Sequence, residues 1–592
     1  MKAVKLKFKS ITSLLERHEK IKLLYVFIIY IISVFLDIIG IGLIIQLLTL
    51  ILSGEFSQSF SQYLPSDITS LSPNNLILVV LLFFFLFYIF KSIFSTFALW
   101  YERSFIYEVQ QNLSVKLLNK YMIEDYQYFL RRNYADLVRN ITVEAGLFVS
   151  GVIHGFVAVV SEVLIVIGIS ALLIIVDPIS SLTIIGVITS IVTTYLLVFK
   201  KKLRSLGFKK QNLESSILDQ LNKSFLLFRE MRIFSRQKST VENFEGTVKE
   251  KNKISLFEDL LNGLPKIYFE LLFVILVNSV LIYLIYSGAE IKDIIPILGL
   301  YAAAFFRIFP SFNRLIGAIN GLIHNLAAFD LIKQDLDLLR IEKKLPLSIS
   351  NYSNFQNFLT NEEKPQNLEL KNISFSYKMN DKKINILEDL NLIMKSGEIT
   401  GLIGESGSGK STIANIINGF IEIDKGEFKI NNNSEYNKNM LSHLVGYLPQ
   451  TTNLINDTLL NNICFYNNKE SEFNHKKIDE IISTLEMKNM IDSLPQGLNS
   501  QIHEQGQIFS GGQRQKIALA RMLYRDAPIL VFDESTSSLD INSEKKLLEL
   551  INIIKKDRII LFITHNRNLT YSFDRTYLLE NRKILKHEYN SK

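Results

Sequence analysis

Hydrophobic positions divide the chain into two regimes. Before about residue 325 they run in long stretches, near 23–52, 75–100, 147–176, 178–199, 265–287 and 294–323. Each is long enough to cross about 30 Å of hydrocarbon as a helix, so six membrane-spanning helices are expected. The third and fourth stretches meet at Asp177-Pro178, a helix-breaking turn because the residue before a proline avoids helical angles. From Leu368 the pattern changes to short β-like runs alternating with helices, which is how a parallel α/β sheet reads. Between the two lies a polar stretch, Ser348-Ile-Ser-Asn-Tyr-Ser-Asn-Phe-Gln-Asn-Phe358, with the composition of a linker. The expected organisation is a transmembrane domain over 1–340, a linker over 341–367 and an α/β domain over 368–592. No internal repeat is visible.

Charge orients the spans. Lys2, Lys5, Lys7, Lys9, Arg17, Lys20 and Lys22 precede the first apolar stretch, whereas 53–74 contains no Lys or Arg. The next loop, 101–146, carries Arg103, Lys116, Lys120, Arg131, Arg132 and Arg139. The third–fourth turn has no basic residue and the fourth–fifth loop is rich in them. Basic loops stay on the cytoplasmic side, so both termini are expected there. The net charge of +7 is modest, and its clustering in loops reads as topology rather than as nucleic-acid contact. A single cysteine, Cys464, excludes an internal disulfide framework. The stretch from Leu23 to Leu52 is about twice a signal-peptide core, so it is expected to remain as a span.

Candidate chemistry concentrates after the linker. Gly404-Glu405-Ser406-Gly407-Ser408-Gly409-Lys410-Ser411 follows an apolar run, Ile399–Ile403, and opens a helix-like run from Thr412. Strand, glycine loop and helix in that order make a phosphate-binding loop. The glycines let several backbone N–H groups point at one anion, and the helix adds its positive end. Lys410 reaches the outer phosphates of ATP, and the Ser411 hydroxyl holds Mg²⁺. Downstream, Ile529-Leu-Val-Phe-Asp-Glu534 is an apolar strand ending in two carboxylates. Phosphoryl transfer to water needs one to hold Mg²⁺ and one to polarise the water. Asp533 suits the first role and Glu534 the second. A buried strand ending in a solvated acidic turn is the plain alternative.

Phe509-Ser510-Gly511-Gly512-Gln513 brings in a family. This half resembles the nucleotide-binding domain of ATP-binding-cassette (ABC) transporters, in which L-S-G-G-Q faces the ATP held by the other domain of a pair. The resemblance implies further roles. Tyr377 would stack on adenine, Gln450 would link Mg²⁺ to the membrane domain, and His565 would meet the γ-phosphate. Glu504-Gln-Gly506 resembles the loop before the signature, and Ser537-Ser-Leu-Asp540 the D-loop. Phe509 replaces the usual Leu, Ser538 the usual Ala and His503 the usual Gly; none of these removes a phosphate, metal or water contact. Six spans followed by one such domain match an exporter half-transporter, with a helical membrane domain fused to an α/β P-loop domain. One chain supplies one P-loop and one signature, so the resemblance implies a dimer, and with every motif present a homodimer. Tyr126–Arg139 and Phe234–Phe244 resemble the cytoplasmic coupling helices.

The cargo rests on ionisable residues inside the spans, which are costly there and therefore candidates for function: Asp37, Lys91, Glu162, Glu270, Arg307 and Arg314. Arg307 and Arg314 lie within about 20° on one helix face and roughly 10 Å apart. Pro310 between them removes one backbone bond, so a kink is expected. Two guanidiniums on one face suit a phosphate-type anion; alternatively each pairs with an acid such as Glu270 or Glu162 and only orients helices. Lys91 reads as snorkelling to the boundary. Pro265-Lys-Ile-Tyr-Phe-Glu270 and Arg307-Ile-Phe-Pro-Ser-Phe-Asn-Arg314 resemble segments of bacterial ABC flippases for lipid-linked oligosaccharides, in which arginines meet the pyrophosphate of a polyprenyl carrier. Phe56, Phe60, Tyr63 and Leu64 fall on one helical face, either an interfacial helix touching membrane lipid or a packed loop. The expected function is an ATP-driven flippase of the bacterial cytoplasmic membrane. The alternatives are an exporter of peptide, drug or simple lipid, and an ATP-gated channel or regulator.

Overall fold

The computed structural model describes residues 11, 13–53, 73–176, 178–286, 291–338, 364–379, 382–431, 441, 443–465, 473–503, 508–535 and 541–587. They fall into two compact units, Met1–Glu124 with Arg132–Lys343, and Asp125–Arg131 with Lys344–Lys592.

The first unit is helical. Each of the six apolar stretches falls wholly or mostly in a long helix: α1 (Arg17–Ser53), α2 (Pro73–Ile123), α5 (His154–Val176), α6 (Pro178–Leu226), α8 (Gln237–Tyr286) and α9 (Ile291–His324). Among the described residues, 17–44, 77–123 and 134–175 are long and apolar enough to cross a membrane. Residues 301–324 pass the same test together with 326–337, across a 42° bend. At 1.5 Å per residue, the 51 residues of α2, 49 of α6 and 50 of α8 run to more than twice a hydrocarbon core. The surplus is polar, so these helices continue beyond the apolar layer. Val34 and Ile41 of α1 pack with Ile165, Ile169 and Leu173 of α5 and with Tyr301 and Ala304 of α9. Gly168 allows the close approach, since a Cβ there would lie 2.8 Å from a Val34 methyl. The α9 helix runs unbroken through Pro310, and the Ser311 hydroxyl donates to the Arg307 carbonyl at 3.1 Å.

The two basic loops differ in detail from the expectation. The segment 126–139, read as resembling a coupling helix, holds two short helices, α3 (Tyr126–Arg131) and α4 (Tyr134–Arg139). Asn133, extended between them, accepts from the Ala135 N–H at 3.0 Å and starts the second; Asn favours that cap over the helix interior. Two π-helical segments follow, Asn140–Glu144 and Phe148–Ile153. In the second loop the short helix is α7 (Phe228–Ile233), not 234–244. Ser235 at φ 51° ends it, and α8 starts at Gln237. A left-handed residue closes helices in this way, but glycine is its usual carrier, so serine gave no signal. The chain enters the linker from α10 (Leu326–Leu338). There Asp335 is buried and accepts from Tyr121 at 2.6 Å, Asn140 at 2.8 Å and Arg132 at 3.1 Å.

The second unit holds two sheets. An antiparallel sheet has the order β2 (Lys382–Lys395), β1 (Asn367–Met379), β4 (Lys425–Ile430). The larger one runs β5 (Val445–Leu448), β6 (Ile529–Asp533), β7 (Ile559–Thr564), β3 (Ile399–Gly404), β8 (Arg575–Glu580), β9 (Lys583–His587). All its pairings are parallel except β8–β9. Strands β3, β6 and β7 are buried along their whole length, which explains their unbroken apolar runs. Residues 125–131 group with this unit, and the Tyr126 ring lies 5.4 Å from that of Phe420. The outer segment with Phe56, Phe60, Tyr63 and Leu64, together with Asp177, 339–363, 504–507 and 536–540, lies outside the described residues.

Candidate functional site

Parallel register assembles the site. Leu448 is level with Phe532, Asp533 with Ile563, and Ile403 with Thr564. The residues just past those strand ends, Gly404, Gln450, Glu534 and His565, therefore emerge at one carboxyl edge, where open α/β sheets bind ligands. Gln450 donates from Nε2 to Glu534 Oε2 at 2.7 Å, and His565 Nδ1 lies 4.0 Å from Glu534 Oε1. Glu534 itself has φ 46° and ties its N–H to the Ile563 carbonyl at 3.0 Å. That strained backbone turns its carboxylate over the edge.

The loop from Gly404 to Gly409 caps α11 (Lys410–Ile417). Gly407 and Gly409 have φ of 80° and 110°, conformations that side chains resist. A Cβ at Gly404 would sit 2.6 Å from the Leu579 carbonyl. At Gly409 one would press on Leu387 of β2, so the antiparallel sheet leans on the loop here. Tyr377 lies two residues beyond Phe375, which pairs with Leu387; the two rings meet edge to face at 4.9 Å.

Lys410 is 4% exposed and turned inward. Its Nζ donates to the carbonyls of Gly404 at 2.9 Å and Glu405 at 2.8 Å, and lies 3.5 Å from Glu534 Oε1. Tyr447 donates to Asp533 Oδ2 at 3.0 Å, while the buried Oδ1 has no hydrogen-bond partner. Burial raises the Asp533 carboxyl above its ordinary pKa; the Tyr447 hydrogen bond opposes this and the Glu534 charge adds to it. An orphaned carboxylate oxygen, with the Ser411 side chain near enough to lower the carboxyl's pKa slightly, fits a hard cation. Asp533 and Ser411 would hold Mg²⁺, with Gln450 beside Glu534. The buried Ser408 hydroxyl is likewise unpartnered; Ser406 is exposed on the loop and Thr412 is buried in the first turn of α11.

At the signature, Ser510 and Gln513 cap α12 (Gly511–Arg525) reciprocally. Ser510 Oγ accepts from Gln513 N at 3.2 Å, and Gln513 Oε1 from Ser510 N at 2.9 Å. Phe509 is buried in the core beside it, so the larger ring keeps leucine's anchoring role. Ser510 is exposed and Gly511 and Gly512 are half-buried.

Residues 387–537 match the family model described as ABC transporter. The chain carries an ABC transporter domain. A 220-residue stretch is 36% identical to the ATP-dependent lipid A-core flippase of Escherichia coli (strain K12). Another of 221 residues is 33% identical to the flippase of that name from Pseudoalteromonas translucida (strain TAC 125). Each match spans 37% of this chain and 37% of the relative's own length. Among solved structures, a bacterial Atm1-family ABC exporter with ATP bound superposes with a TM-score of 0.74 over 95% of both chains at 17% identity. The fold is that of an ABC exporter.

Within the helical unit of this ABC exporter fold, the two arginines do not share an open site. Arg307 donates from Nε to Asp37 at 2.9 Å, and Lys91 reaches the other oxygen of the same carboxylate at 2.9 Å. Arg314 is paired with Glu162, one contact being 3.1 Å. Asp37 is only 3% exposed. Lys91 is thus held inward rather than snorkelling, because a buried carboxylate is available to it. Glu270 is exposed and is not the partner of either arginine. The sequence reading missed Asp37 as the Arg307 partner and Tyr447 as the Asp533 partner. Strand parity was the available signal for Tyr447: it is level with Val531, and Val531 and Asp533 share a face.

Proposed function

We propose that this chain is one half of a homodimeric, ATP-driven exporter that flips a polyprenyl-pyrophosphate-linked oligosaccharide across the bacterial cytoplasmic membrane, with both termini cytoplasmic. The observation that carries the ATP-driven part is the meeting of Lys410, Asp533, Glu534, Gln450 and His565 at one sheet edge of an exporter fold. ATP and Mg²⁺ are the cofactors, and bound Mg²⁺ neutralises charge on the phosphates. Glu534 orients the attacking water, and Gln450 fixes the rotation of that carboxylate. Lys410 exchanges two backbone carbonyls for phosphate oxygens. Ser510 and Gly512 serve the nucleotide on the partner chain.

The oligosaccharide part rests on two supports. One is the resemblance of 265–270 and 307–314 to flippases of that cargo. The other is a surplus of cation, since Lys91 and Arg307 share the single carboxylate Asp37. A diphosphate in bare hydrocarbon would cost tens of kcal/mol, so its carrier must supply cations or water. The ion pairs themselves favour a second reading, in which Arg307 and Arg314 only orient helices and the cargo is a peptide, drug or simple lipid. Hydrolysis by the purified protein in liposomes separates the two. A polyprenyl-pyrophosphate glycan should stimulate it severalfold and be flipped. Stimulation by peptides or simple lipids alone would replace this reading with the second.

A further inference from the structure

Three aromatic rings lead to the carboxylate that would hold Mg²⁺. The Tyr126 ring lies 5.4 Å from that of Phe420 at an interplanar angle of 37°, and Phe420 meets Tyr447 edge to face at 6.2 Å and 86°. Both separations fall in the range where aromatic pairs attract. Tyr447 then donates its hydroxyl to Asp533 Oδ2 at 3.0 Å. All four residues belong to the second unit.

Three of the four stand on fixed backbone. Asp533 ends β6 level with Ile563 of β7 and is 4% exposed, so only its side-chain rotation is left open. Tyr447 stands on β5 beside Gly446, where a Cβ would lie 2.9 Å from Met522 of α12. Alternation along the strand turns Tyr447 to the other face, and there it packs on the core cluster that includes Ile413 and Ile417 of α11. Phe420 is tied to the end of α11. Gly419 has φ 72°, its N–H donates to the Ile416 carbonyl at 3.0 Å, and the Phe420 N–H donates to that of Asn415 at 2.8 Å. These are the two bonds of a Schellman close. Tyr126 is placed otherwise. It opens the six-residue α3 and is 40% exposed, and the chain reaches it from the 51-residue α2 through Glu124 and Asp125 alone.

The tyrosine bond selects a carboxylate oxygen. Oδ2 is taken by Tyr447, while the buried Oδ1 has no hydrogen-bond partner and is the one left for a cation. Moving the Tyr447 ring by about 1 Å would stretch the 3.0 Å bond out of hydrogen-bonding range and free the carboxylate to turn. Partners that orient a metal ligand in this way weaken metal binding by about tenfold or more when they are removed. We propose that Tyr447 is a positioning residue for the Mg²⁺ carboxylate, and that Tyr126 sets the Tyr447 ring through Phe420. Metal affinity at the nucleotide site then depends on how Tyr126 is seated, and by reciprocity bound metal favours the seated ring by the same factor. The proposal rests on the reading of Asp533 as a Mg²⁺ ligand and is independent of the cargo.

The test follows Mn²⁺ binding by electron paramagnetic resonance, using the full chain in nanodiscs with a non-hydrolysable ATP analogue. Affinity for the same analogue in EDTA is measured beside it. Tyr447→Phe keeps the ring and removes the hydroxyl. It should weaken Mn²⁺ binding about tenfold and leave metal-free nucleotide affinity unchanged. Phe420→Ala and Tyr126→Ala keep that hydroxyl and remove a ring, and each should weaken Mn²⁺ binding about threefold, the scale of one aromatic pair. Tyr126→Phe keeps its ring and should match wild type. In the Tyr447→Phe background the two alanine variants should add nothing, because the bond through which they act is gone. Mn²⁺ affinity within about twofold of wild type in Tyr447→Phe, with binding abolished in Asp533→Asn, would overturn the proposal alone. Unchanged Mn²⁺ affinity in Asp533→Asn would overturn the Mg²⁺ reading of Asp533 and the proposal with it. Additive losses in the double variants would overturn the relay, since the rings would then act by packing.

Discussion

The Lys410 Nζ lies 3.5 Å from Glu534 Oε1. The proposed phosphate-binding cation and the proposed hydrolytic carboxylate therefore offset each other's charge. On that proposal a γ-phosphate competes with Glu534 for Lys410. Removing the Glu534 charge should leave binding intact, because the backbone cradle is untouched. Glu534→Gln is expected to retain ATP with equal or tighter affinity and to lower turnover a hundredfold or more, the scale of a lost general base. Single-turnover kinetics beside nucleotide titration would check it; turnover within about threefold of wild type would assign the water to another residue. Lys410→Ala should instead weaken nucleotide binding itself.

Assembly can be read from mixed chains. Ser510 is exposed and capped within its own helix, free to serve a nucleotide on another copy. Chains carrying Lys410→Ala are mixed with chains carrying Ser510→Arg, each inactive alone. A mixed dimer would collect both lesions in one composite site and leave the other intact, so part of the hydrolysis should return. No recovery in verified mixed dimers would mean that each chain uses its own signature.

Arg314 and Glu162 pair inside the helical unit, and Glu162 is buried. Arg314→Gln alone strands a buried carboxylate and should cost about 3 kcal/mol. Adding Glu162→Gln should recover most of that. Thermal unfolding in detergent measures both. If the single variant is as stable as wild type and flipping is lost, the arginine serves the cargo rather than the helix pair.

Glu258 gives a pH signature. Burial pushes its carboxyl up, but the close His324 ring, the hydrogen bond from Lys210 and the charges of both more than offset this and hold it below the ordinary value. The partners lie at 2.7 Å and 2.9 Å. A depressed carboxyl stabilises the fold at pH above its unfolded pKa and loses that contribution as pH falls through the folded one. Glu258→Gln should therefore lower stability by about 1–2 kcal/mol at neutral pH. The gap should shrink as the medium is acidified past the usual carboxylate range. A gap unchanged down to that acidity would show a packing effect.

What the sequence made legible was whatever repeats in the backbone. Six apolar runs became six long helices, and the candidate catalytic residues fell at strand ends because parallel register forces them there. Side-chain partnerships were less accessible. Asp37 and Arg307 are far apart in the chain, and nothing in either's local pattern names the other; only helix packing does. Lys91 was misread for the same reason, since snorkelling is the default until a buried acid is known to be within reach. Ser235 and Asn133 ended and began helices without Gly or Pro to announce them.

The π-helical segments Asn140–Glu144 and Phe148–Ile153 precede α5, and each wide turn holds about one residue more than an α turn. They are stored slack. Losing one such residue converts a π turn to an α turn locally, whereas a deletion in a regular helix swings everything beyond it by about 100°. This stretch should accept a single-codon deletion that α5 itself would reject. Two adjacent reservoirs also let the helix hand a turn's surplus from one to the other, rotating the short length between them, Ala145–Leu147, while the spans on either side keep their register.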